Sequence, residues 1–480
     1  MSNLQVLSTS HIQQANWFLY KFNSTSLADK ISVAIRMTHC IDIPTVRNTI
    51  QILIKRHPIL RSIYFEKDGN LISEIRENVE IYWEAIDGTS WDDADLNEQL
   101  WERQNPPFNL EYSGVFRACL FKISATENIL LLTLHQIAGD RESLLILIDE
   151  FVTIYNDISS NLPPLNTGYT DYVNQELEFI NSQEGKQIGD YWQEKLGGEL
   201  PILELPTSLS RPSMRTYNGA AVKSTISPKL TQKIQQLAKT LEIKQEEIIL
   251  AVFKVLLYRY TGEEDLLVGL LQGRESKPLF AGAVGNITNI IVVRSSISES
   301  IKFTDFLEQV SKAVFDVKNY RDYPYALLVK QLKVADLSHY PICQVAFGYH
   351  KSQKSLLAKE LEFAYYELPQ QKVDFELSLE VTELPDSLSV DFKYNSDVLE
   401  AKTVTQIAEH FQNLLTEVVA NPETPVGKLS ILSEADKQQI LVAWNNTKTD
   451  YPQDISIHQL FESQVEKTPD AIAVIFQGEK

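Results

Sequence analysis

Apolar and polar positions alternate with two different periods along the chain, and the predicted elements are mixed from end to end. After Pro44, the apolar residues Val46, Ile50, Leu53 and Ile54 recur at helical spacing and predict a helix over 44–56. Strands are predicted over 60–65 and 71–75, around the hairpin signature Lys67-Asp68-Gly69-Asn70. A helix is expected over 91–104. The run 129–134 is almost continuously apolar, which suits a strand covered on both faces. Leu144, Ile148, Phe151 and Ile154 then place a helix over 140–155. Residues 159–168 hold Ser-Ser, Pro-Pro and Asn and read as a linker. A long helical stretch is predicted over 169–196, and two helices over 232–260, the second apolar on nearly all sides. Strands are expected over 266–269, 290–293, 343–349, 377–381 and 388–394, and helices over 303–319 and 403–419. After Asn421-Pro422-Glu423-Thr424-Pro425 come a short helix, a turn at Asn445-Asn446-Thr447 and a last helix and strand fragment.

Composition narrows the classes. The 480 residues carry 44 Lys and Arg against 64 Asp and Glu, a formal charge of −20, with 44% hydrophobic and 22% charged positions. That suits a globular protein of two to four folding units at ~100–200 residues each. The acidic balance argues against nucleic-acid binding, which needs a basic footprint. No apolar run reaches the ~18 residues of a membrane span, and the first residues lack the pattern of a signal peptide. Cys40, Cys119 and Cys343 are far apart and give neither a disulfide framework nor metal spacing, so a cytoplasmic setting and no metal are expected. The chain holds no phosphate-binding glycine loop.

The segment from Leu131 to Ser143 is the most informative. A buried strand ends at His135-Gln136, a short loop follows, and Asp140 stands at a helix start. On local pattern this is either a satisfied core histidine with an aspartate N-cap, or a set of groups held rigidly at a cleft.

The segment resembles the His-His-x-x-x-Asp-Gly motif of nonribosomal peptide synthetase condensation domains. Other segments resemble that family's motifs in order: Ser10, Gln13 and Trp17-Phe18-Leu19; Arg56-His57-Pro58 with Leu60-Arg61; Tyr169-Thr170-Asp171-Tyr172; Val284-Gly285-Asn286-Ile287-Thr288-Asn289; Asp322-Tyr323-Pro324; and Ser338-His339-Tyr340-Pro341. The resemblance implies an α/β (α+β) fold. Two chloramphenicol-acetyltransferase-like lobes form a V with a tunnel between them, over 1–165 and 166–440. It implies acyl or aminoacyl transfer from a carrier-bound or starter thioester to the amine of a carrier-bound amino acid. Donor and acceptor carrier proteins are then the partners. Their phosphopantetheine arms bring the substrates, no cofactor is bound intrinsically, and the domain is expected to be monomeric. His135, Gln136 and Asp140 take the catalytic positions, and Asp140 pairs with Arg274 across the lobes. Arg141, Ser143, Asn289 and Tyr320 are expected to line the tunnel or position substrate.

The departures from the motif are as informative as the matches. Gln136 stands where the family has its second His, and Arg141 where it has Gly. Gln does not titrate, so it is no general base, but it can donate and accept hydrogen bonds. Arg141 is expected to fill part of the channel or bind a phosphate or carboxylate. Ala15 takes the place of an Arg and Tyr320 that of a His, while Asn286 and Thr288 replace bulky apolar residues. These changes leave three readings open: a working condensation domain, an inactive platform that recruits a tailoring enzyme to a carrier-bound substrate, and an altered reaction on the same scaffold.

The stretch from Leu460 to Val474 resembles the opening of an adenylation domain, so 441–480 reads as a linker and truncated start of that downstream partner. Met1, just ahead of the opening motif, is expected to mark the start of a synthetase polypeptide. A chain this acidic needs local positive spots to meet carrier proteins that are themselves often acidic. Arg211, Arg215, Lys223, Lys351 and Lys354 are the candidates.

Overall fold

The computed structural model of the chain describes residues 5–22, 29–77, 82–157, 162–334, 336, 338–351, 363–368, 371–450 and 454–476. Met1, Lys354 and the first part of the expected linker, 159–161, lie outside the described residues. The chain divides into two compact units, Met1–Ile431 and Leu432–Lys480. Among the described residues, Leu429 is the last buried one.

The first unit opens with β1 (Gln5–Leu7), α1 (His11–Phe22), β2 (Lys30–Met37), α2 (Ile43–Arg56), β3 (Ser62–Lys67), β4 (Asn70–Ile75) and β5 (Tyr82–Asp87). It continues with α3 (Asp93–Gln104), β6 (Phe116–Lys122), β7 (Asn128–His135) and α4 (Arg141–Asn156). Then follow α5 (Tyr169–Asn181), α6 (Gln183–Leu196), β8 (Asn218–Ile226), α7 (Pro228–Leu241), α8 (Gln245–Thr261), β9 (Asp265–Gln272) and β10 (Asn289–Ser296). The unit closes with α9 (Phe303–Lys318), α10 (Tyr325–Leu332), β11 (Val345–Lys351), β12 (Phe363–Tyr366), β13 (Gln371–Lys372), β14 (Leu377–Glu383), β15 (Leu388–Asn395) and α11 (Ala401–Ala420).

Three sheets organise it. A five-stranded sheet has the order β12-β2-β7-β6-β5, a seven-stranded sheet β10-β9-β11-β14-β15-β8-β13, and a small one β1-β4-β3. All eight residues of β7 are buried, as the apolar run requires of a strand in the middle of a covered sheet. The β3–β4 hairpin turns where the sequence marks it, with Asp68 and Gly69 both at positive φ (51° and 76°), the backbone of a tight primed turn. The helical stretch predicted over 169–196 forms as two consecutive helices. Ser182 takes an extended backbone between them, and its hydroxyl accepts the Gly185 N–H to start α6.

Each large sheet has its own core. One gathers Leu53, Tyr64, Phe116, Leu132, Leu147 and Phe151. The other gathers Phe253, Phe303, Phe306, Val381, Phe392 and Phe411. Two crossings tie the halves together. Strand β12 leaves the second half to pair antiparallel with β2 at the edge of the first sheet. Phe280, Ala283, Val284 and Ile287, which precede β10, sit in the first core beside Tyr169 and Tyr172. In the second unit, α12 (Glu434–Gln438) and α13 (Ile457–Lys467) form, but none of its described residues is buried.

Among the described residues no helix is long and apolar enough to cross a membrane, and no cluster of His, Cys, Asp or Glu is arranged to hold a metal ion.

Candidate functional site

The site is built at the end of β7. The central strand delivers His135 into the interior, where it is fully buried between Tyr20 and Phe108, each ring edge-on to the imidazole. Nδ1 accepts the Ile137 N–H at 3.0 Å, so the ring proton lies on Nε2, which donates to Asp29 Oδ2 at 3.0 Å. Burial holds His135 below the usual imidazole range against the pull of Asp29. Burial alone would raise the Asp29 carboxyl, but the hydrogen bond from His135 and the charge of Lys30 hold it low. Both ring nitrogens are therefore engaged, and His135 has no free atom to offer a substrate.

Asp140 caps α4 and is the hub of the loop. Its Oδ1 accepts from the Ser143 N–H at 2.8 Å, the Ser143 hydroxyl at 2.7 Å and Arg274 Nη1 at 2.7 Å. Its Oδ2 accepts from the Ile287 N–H at 3.0 Å, the Thr288 N–H at 3.3 Å and the Thr288 hydroxyl at 3.1 Å. Burial opposes its ionisation, but the charge and hydrogen bond of Arg274 and the donors around it outweigh burial and hold the carboxyl low. Arg274 also donates from Nη2 to Ser143 Oγ (2.9 Å) and to the carbonyls of Ala283 (3.0 Å) and Gly285 (2.7 Å). Glu142, on the first turn of α4, accepts both the Arg274 N–H at 3.1 Å and Nη1 at 3.2 Å. This network joins the helix after β7 to the loop before β10. Asp140, Ser143 and Arg274 hold geometry and leave no lone pair of the carboxylate open.

Gly285 is required by close approach: a Cβ there would stand 1.9 Å from the Tyr169 ring. The Tyr169 hydroxyl in turn reaches Ser10 Oγ at 2.8 Å and donates to the Asn286 carbonyl at 3.0 Å. Gly285→Ala is expected to cost about 1–3 kcal/mol by overpacking, read as a lower urea midpoint. A midpoint equal to that of the parent would show that the ring gives way freely.

Gln136 is the half-buried group at the centre of this loop. Among the described residues its side-chain amide has no hydrogen-bond partner, while its backbone is fully bonded, as described below. Arg141 is exposed and makes no ion pair among the described residues. Its charge acts on Tyr365 of β12, Glu380 of β14 and Asp391 of β15.

The structure brings His135, Gln136, Asp140, Ser143 and Arg274 together. Asn289 and Tyr320 have other partners. Asn289 donates to the carbonyls of Arg321 and Tyr323, both at 2.8 Å, and accepts the Tyr325 N–H at 3.0 Å, pinning the turn before α10. Tyr320 stacks on Tyr191 with ring centroids 3.9 Å apart. Asp29, Glu142, Asn16, Asn286 and Thr288 complete the site. A cavity of about 70 Å³ is lined by Gln13, His57, Tyr64, Tyr169 and Val284 among others, and by none of His135, Gln136 and Asp140.

Three of the candidate carrier-facing cations are engaged within the chain. Arg211 pairs with Glu376 at 2.6 Å, Lys223 pairs with Glu367, and Arg215 lies over the rings of Tyr217 and Tyr340.

Two sheet-and-helix halves joined by a crossing strand, with a His-x-x-x-x-Asp loop at the end of a central buried strand, define a chloramphenicol-acetyltransferase-like architecture. The profile of the condensation domain matches residues 3–441, and the chain belongs to that family. It is 29% identical over 474 residues to tyrocidine synthase 3 of Brevibacillus parabrevis, covering 98% of this chain and 7% of that protein. It is also 29% identical over 477 residues to polyketide synthase PksN of Bacillus subtilis (strain 168), covering 97% of this chain and 9% of that protein. The chain thus spans less than a tenth of the length of these relatives. Among solved structures, the four-domain nonribosomal peptide synthetase AB3403 superposes with a TM-score of 0.86 at 18% identity, covering 97% of this chain and 36% of that one. The complex of the X-domain and OxyB from teicoplanin biosynthesis superposes with a TM-score of 0.81 at 20% identity, covering 90% and 98%.

Proposed function

We propose that this domain transfers an acyl or aminoacyl group from a carrier-bound thioester to the amine of a carrier-bound amino acid, with Gln136 positioning that amine. The observation that carries the reading is the state of the loop. The Asp140 carboxylate and the backbone of position 136 are hydrogen-bonded from both halves of the fold, and among the described residues the half-buried Gln136 amide at the centre of the loop has no partner.

The chemistry fits a non-titrating group. The amine nitrogen attacks the thioester carbonyl, the C–N bond forms, and charge gathers on the carbonyl oxygen. The C–S bond then breaks, and the departing thiolate takes up the proton that the nitrogen loses. The Gln136 carbonyl oxygen can accept an N–H of the amine and aim its lone pair, which contributes by orientation. It cannot take the proton, so the chain forgoes the roughly 10²–10⁴-fold of general-base catalysis. The carriers supply the phosphopantetheine arms, so the domain needs no cofactor of its own.

The test is transfer between loaded donor and acceptor carriers, followed by intact-protein mass spectrometry across a pH series. The wild-type rate is expected to follow one ionisation, that of the acceptor amine near pH ~8. Gln136→His is expected to add a second, near the imidazole value of ~6.5, and to raise the plateau about 10²-fold or more. No wild-type transfer above thioester hydrolysis would sink the enzymatic reading.

A platform that recruits a tailoring enzyme is the second reading. It is favoured by the absence of a titrating group at 136 and by the likeness to an X-domain solved with OxyB. Retention of an oxidative or other tailoring enzyme on the loaded domain, without transfer, would establish it.

A further inference from the structure

Every backbone hydrogen-bonding group of Gln136 is in use. Its N–H donates to the Asp29 carbonyl at 2.7 Å. Its carbonyl accepts Asn16 Nδ2 at 3.2 Å and Asn286 Nδ2 at 3.0 Å. A carbonyl oxygen has two lone pairs, so the two amides saturate it. They arrive from α1 and from the loop before β10, one from each half of the fold. Asn16 and Asn286 are only 6% and 7% exposed, so neither is a solvated surface amide.

The rest of the loop does not depend on these two bonds. Asp140, Ser143, Arg274 and the close contact of Gly285 with Tyr169 already tie the loops together. The asparagines act on one residue, the one whose side chain has no partner among the described residues. Asn286 also stands where the resemblance places a bulky apolar side chain, and so does Thr288, whose hydroxyl reaches Asp140 at 3.1 Å. An apolar side chain at either place makes neither bond. The polar residues at 286 and 288 thus bond the backbone carbonyl of Gln136 and the carboxylate of Asp140.

We propose that Asn16 and Asn286 are positioning residues for Gln136: holding its carbonyl from both sides, they fix the direction in which its amide meets the amine of the incoming aminoacyl group. The proposal rests on the acyl-transfer reading above and adds the residues through which Gln136 acts. Neither asparagine touches substrate. Each sets the backbone from which Gln136 reaches it.

The test compares two forms of one carrier domain against the full chain. The first bears an alanyl group on an amide that replaces the thioester, and the second bears phosphopantetheine alone. Affinities are measured by calorimetry for the wild type, Asn16→Leu, Asn286→Leu, the isosteric Asn286→Asp, and Gln136→Ala. Loss of one aimed hydrogen bond is expected to weaken alanyl-carrier binding about fivefold in each asparagine variant, with the unloaded carrier unchanged. In the transfer assay the same variants are expected to raise the acceptor KM more than they lower kcat. Equal weakening toward both carriers would mark a purely structural role and overturn the proposal. Weakening by Gln136→Ala alone, with the asparagine variants unaffected, would overturn it while leaving the acyl-transfer reading intact. If Gln136→Ala changed neither affinity nor transfer, Gln136 would not position the amine and the asparagines' role would fail with it, while acyl transfer itself would stand.

Discussion

Arg274→Leu is expected to destabilise the first unit by about 3–5 kcal/mol, among the largest effects of any single substitution in this chain. The guanidinium is 5% exposed and bonds Asp140, Glu142, Ser143 and the carbonyls of Ala283 and Gly285. Leucine restores volume but no donor. It leaves the buried Asp140 carboxylate without its counter-charge and strips two buried carbonyls of a partner. The arrangement, not the charge pair alone, sets the size: breaking one member of a buried pair strands the other. The double variant Asp140→Asn with Arg274→Leu should cost clearly less than the two single changes combined, because the stranded charge is gone.

The pH dependence has a definite sign. Asp140 is held below the ordinary carboxylate value of 3.8, so its contribution is present above that pH and is lost as the pH falls through its folded value. The Arg274→Leu penalty should be constant near neutrality and shrink in acid. Urea unfolding at a series of pH values measures it. A penalty below about 1 kcal/mol would place this network with surface pairs instead.

How much of this was legible in the sequence depends on whether the cause is local. The β7–α4 segment was, because continuous apolarity marks a strand covered on both faces and an aspartate before a periodic run marks a cap. The β3–β4 turn was legible for the same kind of reason, since Asp-Gly supplies the left-handed backbone it needs. Strands β2, β6 and β8 escaped notice. In β8 small and half-buried residues blur the alternation, and β2 carries Lys30, Ser32 and Arg36 among its apolar residues. Helix α10 is eight residues long and follows Pro324, too short for a periodic signal.

At the site, the motif marked His135, Gln136 and Asp140, but their partners are set by tertiary contact. Asp29 lies 106 positions from His135, and Asn286 lies 150 from Gln136. One signal for the latter was present. Asn286 and Thr288 are polar where the resembled motif is apolar, and a polar group at a buried place needs a partner. Read alone, they suggested relaxed or altered function. In the structure their added donors are used, Asn286 on the Gln136 carbonyl and Thr288 on Asp140.

Lys254→Met is expected to stabilise the first unit and to flatten its pH dependence above neutrality. Lys254 points from α8 into the second core, fully buried, where Nζ donates to the Val293 carbonyl at 2.9 Å and lies 3.5 Å from that of Leu266. Burial lowers its pKa from 10.5 to about 7, only partly opposed by Cys343 and Asp265. The folded state therefore holds fewer protons than the unfolded chain between those values, and stability rises with pH across that window. The cost is fully present below pH ~7 and disappears toward ~10.5, a span worth about 5 kcal/mol at ~1.4 kcal/mol per pH unit. Methionine matches the stem, carries no charge and fills the same space. Wild-type urea midpoints should climb between neutral pH and the point where thiols begin to ionise, ~8.5. Those of the methionine variant should stay nearly level over the same range and start higher. Above that point Cys119 and Cys343, both buried and pushed up to about 12, favour unfolding as the pH rises. Because Cys343 is coupled to Lys254, the comparison is read below that point, where the thiols stay protonated and the difference between the two curves isolates Lys254. Parallel curves would mean that Lys254 stays charged in the fold. The amine would then be paired by more than two carbonyls, and the second core would be less dry than its side chains imply.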